Sequence, residues 1–192
     1  MPQLLSLQTG SARRVRIHDR YVLTAIHKQP VAGRLEVMPL GLAGDEQADL
    51  SVHGGLDKAV YAYPSEHYPF WRQARADAGL GGIDDALPWG SLGENLSLAG
   101  LLETGVWVGD VLQFARCALR VTQPREPCYK FNAAMGFTHA SKLMAQHGCC
   151  GFYLAVEVPG TLQAGDSFEL VAGPRRLGIP EMFRAKLFKH LR

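Results

Sequence analysis

The stretch GDVLQFARCALRV, residues 109–121, is the part of the sequence that most directly indicates the fold class. A glycine and an aspartate stand before a long apolar run of strand-forming residues. The same dipeptide, Gly165-Asp166, stands before SFELV at residues 167–171. Because glycine and aspartate favour turns, both segments are predicted to be corners that begin strands of a bent sheet. A third Gly-Asp, at residues 44–45, is followed by polar residues and predicts a loop.

Several other short segments have the composition of strands or helices. Three of them, each bounded by Gly or Pro, are predicted strands: Tyr21–His27, Ala59–Tyr63 and Phe152–Val158. Helices are predicted over 65–75, which begins at Ser65 with Pro69 near its first turn, and over 138–148, which ends at a glycine. Eleven prolines and 21 glycines are spread among these short strands. The pattern predicts a mainly β protein, a β-barrel with a few flanking α-helices at its ends.

Length and composition set the broad class. The chain has 192 residues, 47% of them hydrophobic and 20% charged, as expected for one principal globular domain. We expect the barrel domain to occupy residues 1–172 and a basic tail, or amphipathic helix, residues 173–192. The N-terminus lacks a basic segment followed by a long apolar one, and no run of about 18 apolar residues occurs. A cytoplasmic protein without a membrane span is therefore expected.

Charge is concentrated in the tail. Residues 175–192 carry six Lys and Arg residues against one acid, Glu181, with Phe183, Leu187 and Leu191 at four-residue intervals. Such a helix can pack on the barrel or on a partner subunit, as in a homodimer, or it can dock to an acidic partner or a membrane surface. The preceding 174 residues hold fourteen bases against seventeen acids, so this charge balance argues against nucleic-acid binding.

The four cysteines lie at positions 117, 128, 149 and 150. The adjacent pair could bridge only through a strained ring, so reduced thiols in a cytosolic setting are expected. The sequence has no C-x-x-C pair and no Cys/His quartet of the zinc-site form, which argues against structural zinc. Cys117 falls in the apolar run of residues 111–121 and is predicted to be a buried strand position.

Cys128 has a different setting, in QPREPCYKFN at residues 123–132. Two prolines stiffen the segment, and Arg125 and Lys130 place positive charge next to the thiol. Nearby cations favour the thiolate, which is the form that acts as a nucleophile or a metal ligand. The alternative is a cysteine that fills a gap beneath a turn.

A second dense stretch runs from GLAGDEQAD, residues 41–49, to VHGGLDKAV, residues 52–60. Gly54 and Gly55 would let backbone N–H groups approach a ligand closely, with His53 and Lys58 on either side. This arrangement can hold a phosphate, although it lacks the ending of a Walker A motif. A tight turn with a solvated lysine is the alternative.

A third cluster is WGSLGENL, residues 89–96. Glu94 and Asn95 follow a glycine and can hydrogen-bond the N–H and C=O edge of a heterocycle. They can equally cap a turn.

Four ordered motifs, G-D-E-Q-A-D, H-G-G-x-D-K-A-V-Y, G-E-N-L and P-R-x-P-C-Y-K-x-N, give the chain a family resemblance. Over roughly residues 15–172 it resembles the MOSC domain, named after the C-terminal part of molybdenum cofactor sulfurase, and within that family the bacterial YiiM type. The resemblance implies a β-barrel, a molybdenum–pterin cofactor (molybdopterin), and Cys128 as the metal ligand. For the YiiM type it further implies reduction of N-hydroxylated small molecules such as hydroxylaminopurines.

The chemistry of the residues agrees with that implication. A thiolate suits a soft molybdenum centre, and cations with free N–H groups suit the terminal phosphate of the pterin. Arg125 and Lys130 could alternatively keep Cys128 ionised. The predicted catalytic residue and metal ligand is Cys128, and the predicted cofactor-binding residues are His53, Gly54, Gly55, Lys58, Glu94, Asn95, Arg125, Lys130 and Asn132.

Reductase activity is thus the predicted function, with His53 or Lys130 as the proton donor. YiiM-type proteins usually continue into a further small helical domain, whereas this sequence ends at Arg192, and no flavin, haem or iron–sulfur motif occurs in it. A separate electron-donor protein is therefore expected. The sequence also allows two alternative functions: a sulfur carrier that holds a persulfide on Cys128, and a non-catalytic module that binds the cofactor or another anion.

Overall fold

The computed structural model describes residues 1–48 and 54–189. These residues form thirteen β-strands and four α-helices, with more residues in strands than in helices. The strands are β1 (Gln3–Thr9), β2 (Arg13–Ile17), β3 (Arg20–Thr24), β4 (Gln29–Pro30), β5 (Arg34–Met38), β6 (Gly41–Leu42), β7 (Val60–Pro64), β8 (Leu96–Ala99), β9 (Val111–Phe114), β10 (Ala118–Pro124), β11 (Phe152–Val158), β12 (Gly160–Gln163) and β13 (Phe168–Val171). The helices are α1 (Tyr68–Asp77), α2 (Tyr129–Met135), α3 (Ala140–His147) and α4 (Ile179–Lys189).

The strands form three sheets. Eight of them make the main sheet, in the order β13-β9-β10-β11-β7-β8-β1-β4, in which β7 and β8 are parallel and the other pairs antiparallel. Strands β12, β5 and β6 form a second sheet, and β2 and β3 form a separate hairpin. The prediction that strands predominate is confirmed, in a mixed α/β architecture.

The predicted closed barrel is not what the described strands form. Closure needs a continuous ladder between the two ends of a sheet. Here the chain turns at Gly165–Asp166, at the point where the segment leading into β13 meets β1. Only one isolated bridge, Gln3–Ser167, and a few backbone hydrogen bonds therefore join β1 to this segment in the described residues. The sheet is therefore open in the described segments, and the prediction of a closed barrel was wrong.

The predicted strands vary in accuracy. Phe152–Val158 is confirmed as β11, whereas the run of residues 111–121 divides into β9 and β10. Cys117 is buried, with 1% of its surface exposed, as predicted. It lies in the turn between these strands, however, so its placement within a strand was wrong.

The two predicted helices both exist, with shifted boundaries. A 3-10 turn at Ser65–His67 precedes α1, which moves Pro69 into the first turn of the α-helix, where proline is tolerated. Helix α3 ends at Gly148, whose φ of 70° is the left-handed conformation that glycine favours. Helix α2, directly after Cys128, was not predicted because Pro124 and Pro127 made the whole segment resemble a loop.

Helix α4 packs on the rest of the chain. Ile179 and Phe183 are 0% and 2% exposed, and the helix lies against β10. Lys186 donates hydrogen bonds to Gln123, at 2.9 Å, and to Glu126, at 2.5 Å. The tail helix is therefore tied to the segment that leads to Cys128. Leu191 lies outside the described residues, and the proposed division at residues 172 and 173 stays a prediction.

None of the helices within the described segments is long and apolar enough to span a membrane.

Candidate functional site

A cleft brings several of the predicted residues together. Its lining residues fall within five segments, 24–28, 45–48, 54–61, 93–95 and 125–130, not every residue of which faces the cleft, and Tyr153 completes the lining. The predicted site residues that line it are Gly54, Lys58, Asn95, Arg125, Cys128 and Lys130. His53 lies outside the described residues. The cleft is thus built from segments that are far apart in sequence.

Cys128 stands at the end of a short loop between β10 and α2. Its backbone is extended, with φ of −140° and ψ of 168°, and its carbonyl accepts a hydrogen bond from the N–H of Phe131 at 2.9 Å. Phe131 is fully buried and packs edge-on against the Trp71 ring of α1, with ring centroids 5.2 Å apart. Packing in the core therefore fixes the helix that begins directly after Cys128.

The four cysteines differ in burial. Cys117, Cys149 and Cys150 are buried, whereas Cys128 is half-buried and lines the cleft; none of the four is in a disulfide. Burial raises the pKa of both Cys117 and Cys149 to about 12 and raises the pKa of Cys150 well above its usual range. Those three thiols stay protonated at neutral pH, so Cys128 is the cysteine with the surroundings of a reactive thiol.

Arg125 places a fixed positive charge in the cleft near Cys128. Its side chain is 5% exposed, and one guanidinium nitrogen donates a hydrogen bond to the carbonyl of Leu92 at 2.9 Å. The guanidinium carbon lies 5.1 Å from the Tyr61 ring centroid and 4.7 Å from that of Phe131. These two cation–π contacts hold the charge in a defined position.

Two lysines add charge to the same cleft. The Lys58 ammonium lies 5.8 Å from the ring centroid of Tyr153, and burial followed by repulsion from Lys186 lowers the pKa of Lys58, while Glu126 opposes the shift. Lys130 donates a hydrogen bond to the carbonyl of Leu23 at 3.3 Å. With Arg125, these side chains bring three positive charges to the lining of the cleft.

Glycines allow the backbone to come close to the cleft. Gly54 has φ of 139°, and a side chain there would place its Cβ 2.4 Å from Oε1 of Gln47. The same Gln47 oxygen accepts a hydrogen bond from the N–H of Gly55 at 2.8 Å. The side chain of Gln47 therefore holds the Gly-Gly turn in place. The N–H of Gly55 already donates to Gln47 and so is not available to a ligand.

A buried polar network in the lining of the cleft was not predicted from the sequence. Lys28 and Asp45 form an ion pair at 2.5 Å, with 8% and 6% of their side chains exposed. The second Asp45 oxygen accepts a hydrogen bond from the Asn95 side chain at 2.9 Å. Asp45 belongs to the G-D-E-Q-A-D motif, but nothing local in the sequence indicates Lys28 as its partner, 17 positions away.

Three of the predicted residues that the structure describes do not line the cleft. Glu94 is fully buried and accepts hydrogen bonds from the backbone N–H groups of Gly90, at 2.8 Å, and Leu92, at 3.1 Å, and from the side chains of Tyr68 and Ser97. Asn132 accepts a hydrogen bond from the N–H of Ser141 at 2.7 Å, which links α2 to the start of α3. Gly55, which carries the Gly-Gly turn, adjoins the cleft rather than lining it.

Within residues 1–48 and 54–189, no group of three or more His, Cys, Asp or Glu side chains could hold a metal ion. As far as these described residues are concerned, a metal near Cys128 would need most of its ligands from a cofactor. This requirement fits a metal bound by the sulfur atoms of an organic ligand, with a single protein thiolate added.

The chain is similar to known proteins of one family. The family model for the MOSC domain matches residues 49–169. Protein YiiM of Escherichia coli (strain K12) is 39% identical over 149 residues, which are 78% of this chain and 64% of that protein. A protein named reductase from Gibberella moniliformis is 30% identical over 172 residues, 89% of this chain but 29% of that protein.

The fold also matches a solved structure. The crystal structure of YiiM from Geobacillus stearothermophilus superimposes with a TM-score of 0.77 at 29% identity, covering 100% of this chain and 87% of that one. The likeness thus extends beyond the residues matched by the family model, over the whole chain.

Proposed function

The chain belongs to the MOSC domain family, and from that premise we propose that it binds the molybdenum cofactor through Cys128 and reduces N-hydroxylated small molecules. The observation that carries the proposal is the position of Cys128, a half-buried thiol in a cleft with Arg125, Lys58 and Lys130. Cations around a thiol favour the thiolate, and a thiolate is the ligand that soft molybdenum prefers.

The residues of the cleft fit such a cofactor. Its terminal phosphate would lie against Lys58 and the Gly54 turn, where a Cβ would collide with Gln47 and the backbone must stay bare. Charge-assisted contacts from lysine and arginine are the usual means of holding a phosphate. Asn95 already binds Asp45 and the Tyr61 N–H, so it would act by fixing the cleft wall.

The proposed reaction is a two-electron reduction of the N–O bond. The substrate R–NH–OH takes up two electrons and two protons, the N–O bond breaks, and the products are R–NH2 and water. The molybdenum cofactor, when bound, supplies the two-electron redox centre. The electrons come from a separate electron-donor protein, and Lys130, which lines the cleft, would donate a proton.

The name of one relative supports this activity class. The Gibberella moniliformis protein is named reductase, and this chain aligns with 29% of its length. The likeness to YiiM covers most of this chain. Substrate and cofactor are therefore proposed from the family and from the chemistry of the cleft together.

The test is elemental analysis of the protein made in a host that synthesises the molybdenum cofactor. We expect nearly one molybdenum per chain, together with reduction of 6-N-hydroxylaminopurine by the molybdenum-loaded protein with a chemical reductant. A protein that lacks molybdenum and carries one extra, reducible sulfur atom on Cys128 would instead be a sulfur carrier. A protein that carries neither molybdenum nor the extra sulfur atom would be a non-catalytic binding module.

Replacing Lys58 should weaken retention of the cofactor without disturbing the fold. Lys58→Ala removes a cation from the cleft, and we expect molybdenum content to fall roughly tenfold after gel filtration. Lys58→Arg keeps the charge but changes its geometry, so it should restore part of the loss. Molybdenum content in Lys58→Ala equal to that of the native protein would contradict the phosphate assignment.

A further inference from the structure

The hairpin of β2 and β3 is the most basic segment outside the tail. Residues 13–24 contain four arginines and one acid, Asp19. The other residues of the first 174 hold ten bases against sixteen acids. A positively charged hairpin therefore projects from a body with the opposite net charge, which concentrates the positive potential in one place.

One face of this hairpin is in solvent. Arg14 pairs with Leu23 across the two strands, and Arg16 pairs with Tyr21, so all four side chains lie on the same face. Tyr21 and Leu23 are 71% and 46% exposed. The opposite face carries the buried Ile17 and Thr24 and packs on the molecule. The exposed face thus combines two arginines with an aromatic and an aliphatic side chain, a composition typical of protein interfaces.

Within residues 1–48 and 54–189, the arginines of the hairpin are only weakly neutralised. Arg16 approaches Asp19 at 3.6 Å, but both side chains are largely in solvent, and such a pair contributes little. For the part of the chain that the structure describes, Arg13, Arg14 and Arg20 form no ion pair. The tail differs in part, because Lys186 is bound to Glu126, and Arg175 contacts Asp110 and stacks on Trp107, whereas Arg176 and Arg184 are exposed.

The hairpin also adjoins the cleft. Strand β3 ends at Thr24, which lines the cleft, and Ala25 and Ile26 continue along its wall. The carbonyl of Leu23 accepts the hydrogen bond from Lys130, two residues after Cys128. A protein docked on the exposed face would therefore sit beside the opening that leads to Cys128.

We propose that this exposed face is the docking surface for an acidic electron-donor protein. The donor's identity as a redox protein rests on the proposed reductase function, whereas the location rests on the charge and position of the hairpin. Charge complementarity favours an acidic partner, because opposite potentials steer two proteins together.

The experiment measures binding of an acidic flavodoxin to the full chain by isothermal titration calorimetry at about 50 mM salt, where surface charges are weakly screened. The double variant Arg14→Glu/Arg16→Glu, which reverses both charges, should weaken binding about tenfold or more. The double variant Arg14→Gln/Arg16→Gln, which only removes the charges, should weaken it less. The matched control is Arg176→Glu with Arg184→Glu, the same charge change on exposed tail positions, which should have less than about a twofold effect. Melting temperatures check that every variant is folded.

Several results would overturn the proposal. These are no flavodoxin binding at low salt, equal weakening by the hairpin and tail variants, or tighter hairpin-dependent binding of a single-stranded oligonucleotide or of anionic vesicles. A native dimer that the hairpin variant converts to monomers would also overturn it, since a second copy would then cover the face. Because binding does not require molybdenum, this result is independent of the test of the proposed function.

Discussion

Cys128→Ser should lose nearly all bound molybdenum and reduce N-hydroxylated substrate at least about a hundredfold more slowly than the native protein. Serine offers a harder oxygen of far higher pKa, which does not ionise at neutral pH and binds soft metals poorly. Even residues that only orient metal ligands affect metal affinity or activity about 10–100-fold, so loss of the ligand itself should exceed that range. Metal content and turnover with a chemical reductant are the two measurements.

The fold should survive this change. Cys128 is half-buried and ends a loop, and its backbone carbonyl, which binds the N–H of Phe131, is unaffected by the side chain. Cys117→Ser is the contrasting variant, since that thiol is buried away from the cleft. A hydroxyl buried there without a partner should cost about 1–3 kcal/mol of stability and leave molybdenum content per folded chain unchanged.

Full molybdenum and full activity in Cys128→Ser would show that this cysteine is structural. Loss of metal in Cys117→Ser and Cys128→Ser alike would point to general misfolding instead. The ratio of molybdenum to folded protein separates these outcomes, because it corrects for the fraction of chains that unfold.

Glu94→Ala should have the second large effect, on stability. The carboxyl group of Glu94 is fully buried and accepts four hydrogen bonds, three of them on one oxygen. Alanine would leave buried donors from Gly90, Leu92 and Tyr68 without an acceptor, and each such group costs about 1–3 kcal/mol. We expect the free energy of unfolding to fall by about 3–5 kcal/mol in chemical denaturation.

Glu94→Gln is the matched control, because its amide oxygen can accept the bonds that now converge on one carboxyl oxygen. It should lose clearly less stability than Glu94→Ala. A Glu94→Ala protein of native stability that loses only its cofactor would contradict this structural role and favour direct contact with the pterin. Native-like stability with native molybdenum content would contradict both roles.

The carboxyl group of Glu94 should also make the stability of the protein depend on pH. Burial raises the pKa of Glu94 in the folded protein, and its hydrogen bonds oppose that shift only in part. The protonated form is therefore favoured by folding, and its stabilising contribution is complete below the pKa of an unfolded glutamate. This contribution is lost as pH rises through the folded pKa. Glu94→Gln should remove that component from the pH profile.

The sequence by itself determined the features that depend on neighbouring residues. Strand β11 and the glycine end of α3 were predicted correctly because their signals, β-forming composition and a left-handed glycine, act within a few residues. Each of the four motifs is likewise a local pattern of neighbouring residues, and together they predicted the family. The cysteine loop was identified because Arg125, Pro127 and Lys130 surround Cys128 in the sequence itself.

Only the tertiary structure decided which of these residues share a cleft and which are buried away from it. Asn95 meets Asp45, 50 positions away, and Lys130 meets Leu23, 107 positions away. The open sheet depends equally on distant segments, because the corner at Gly165–Asp166 meets β1 with a single bridge. Burial and long-range hydrogen bonds are set by which segments pack together, and a local pattern carries no record of that choice.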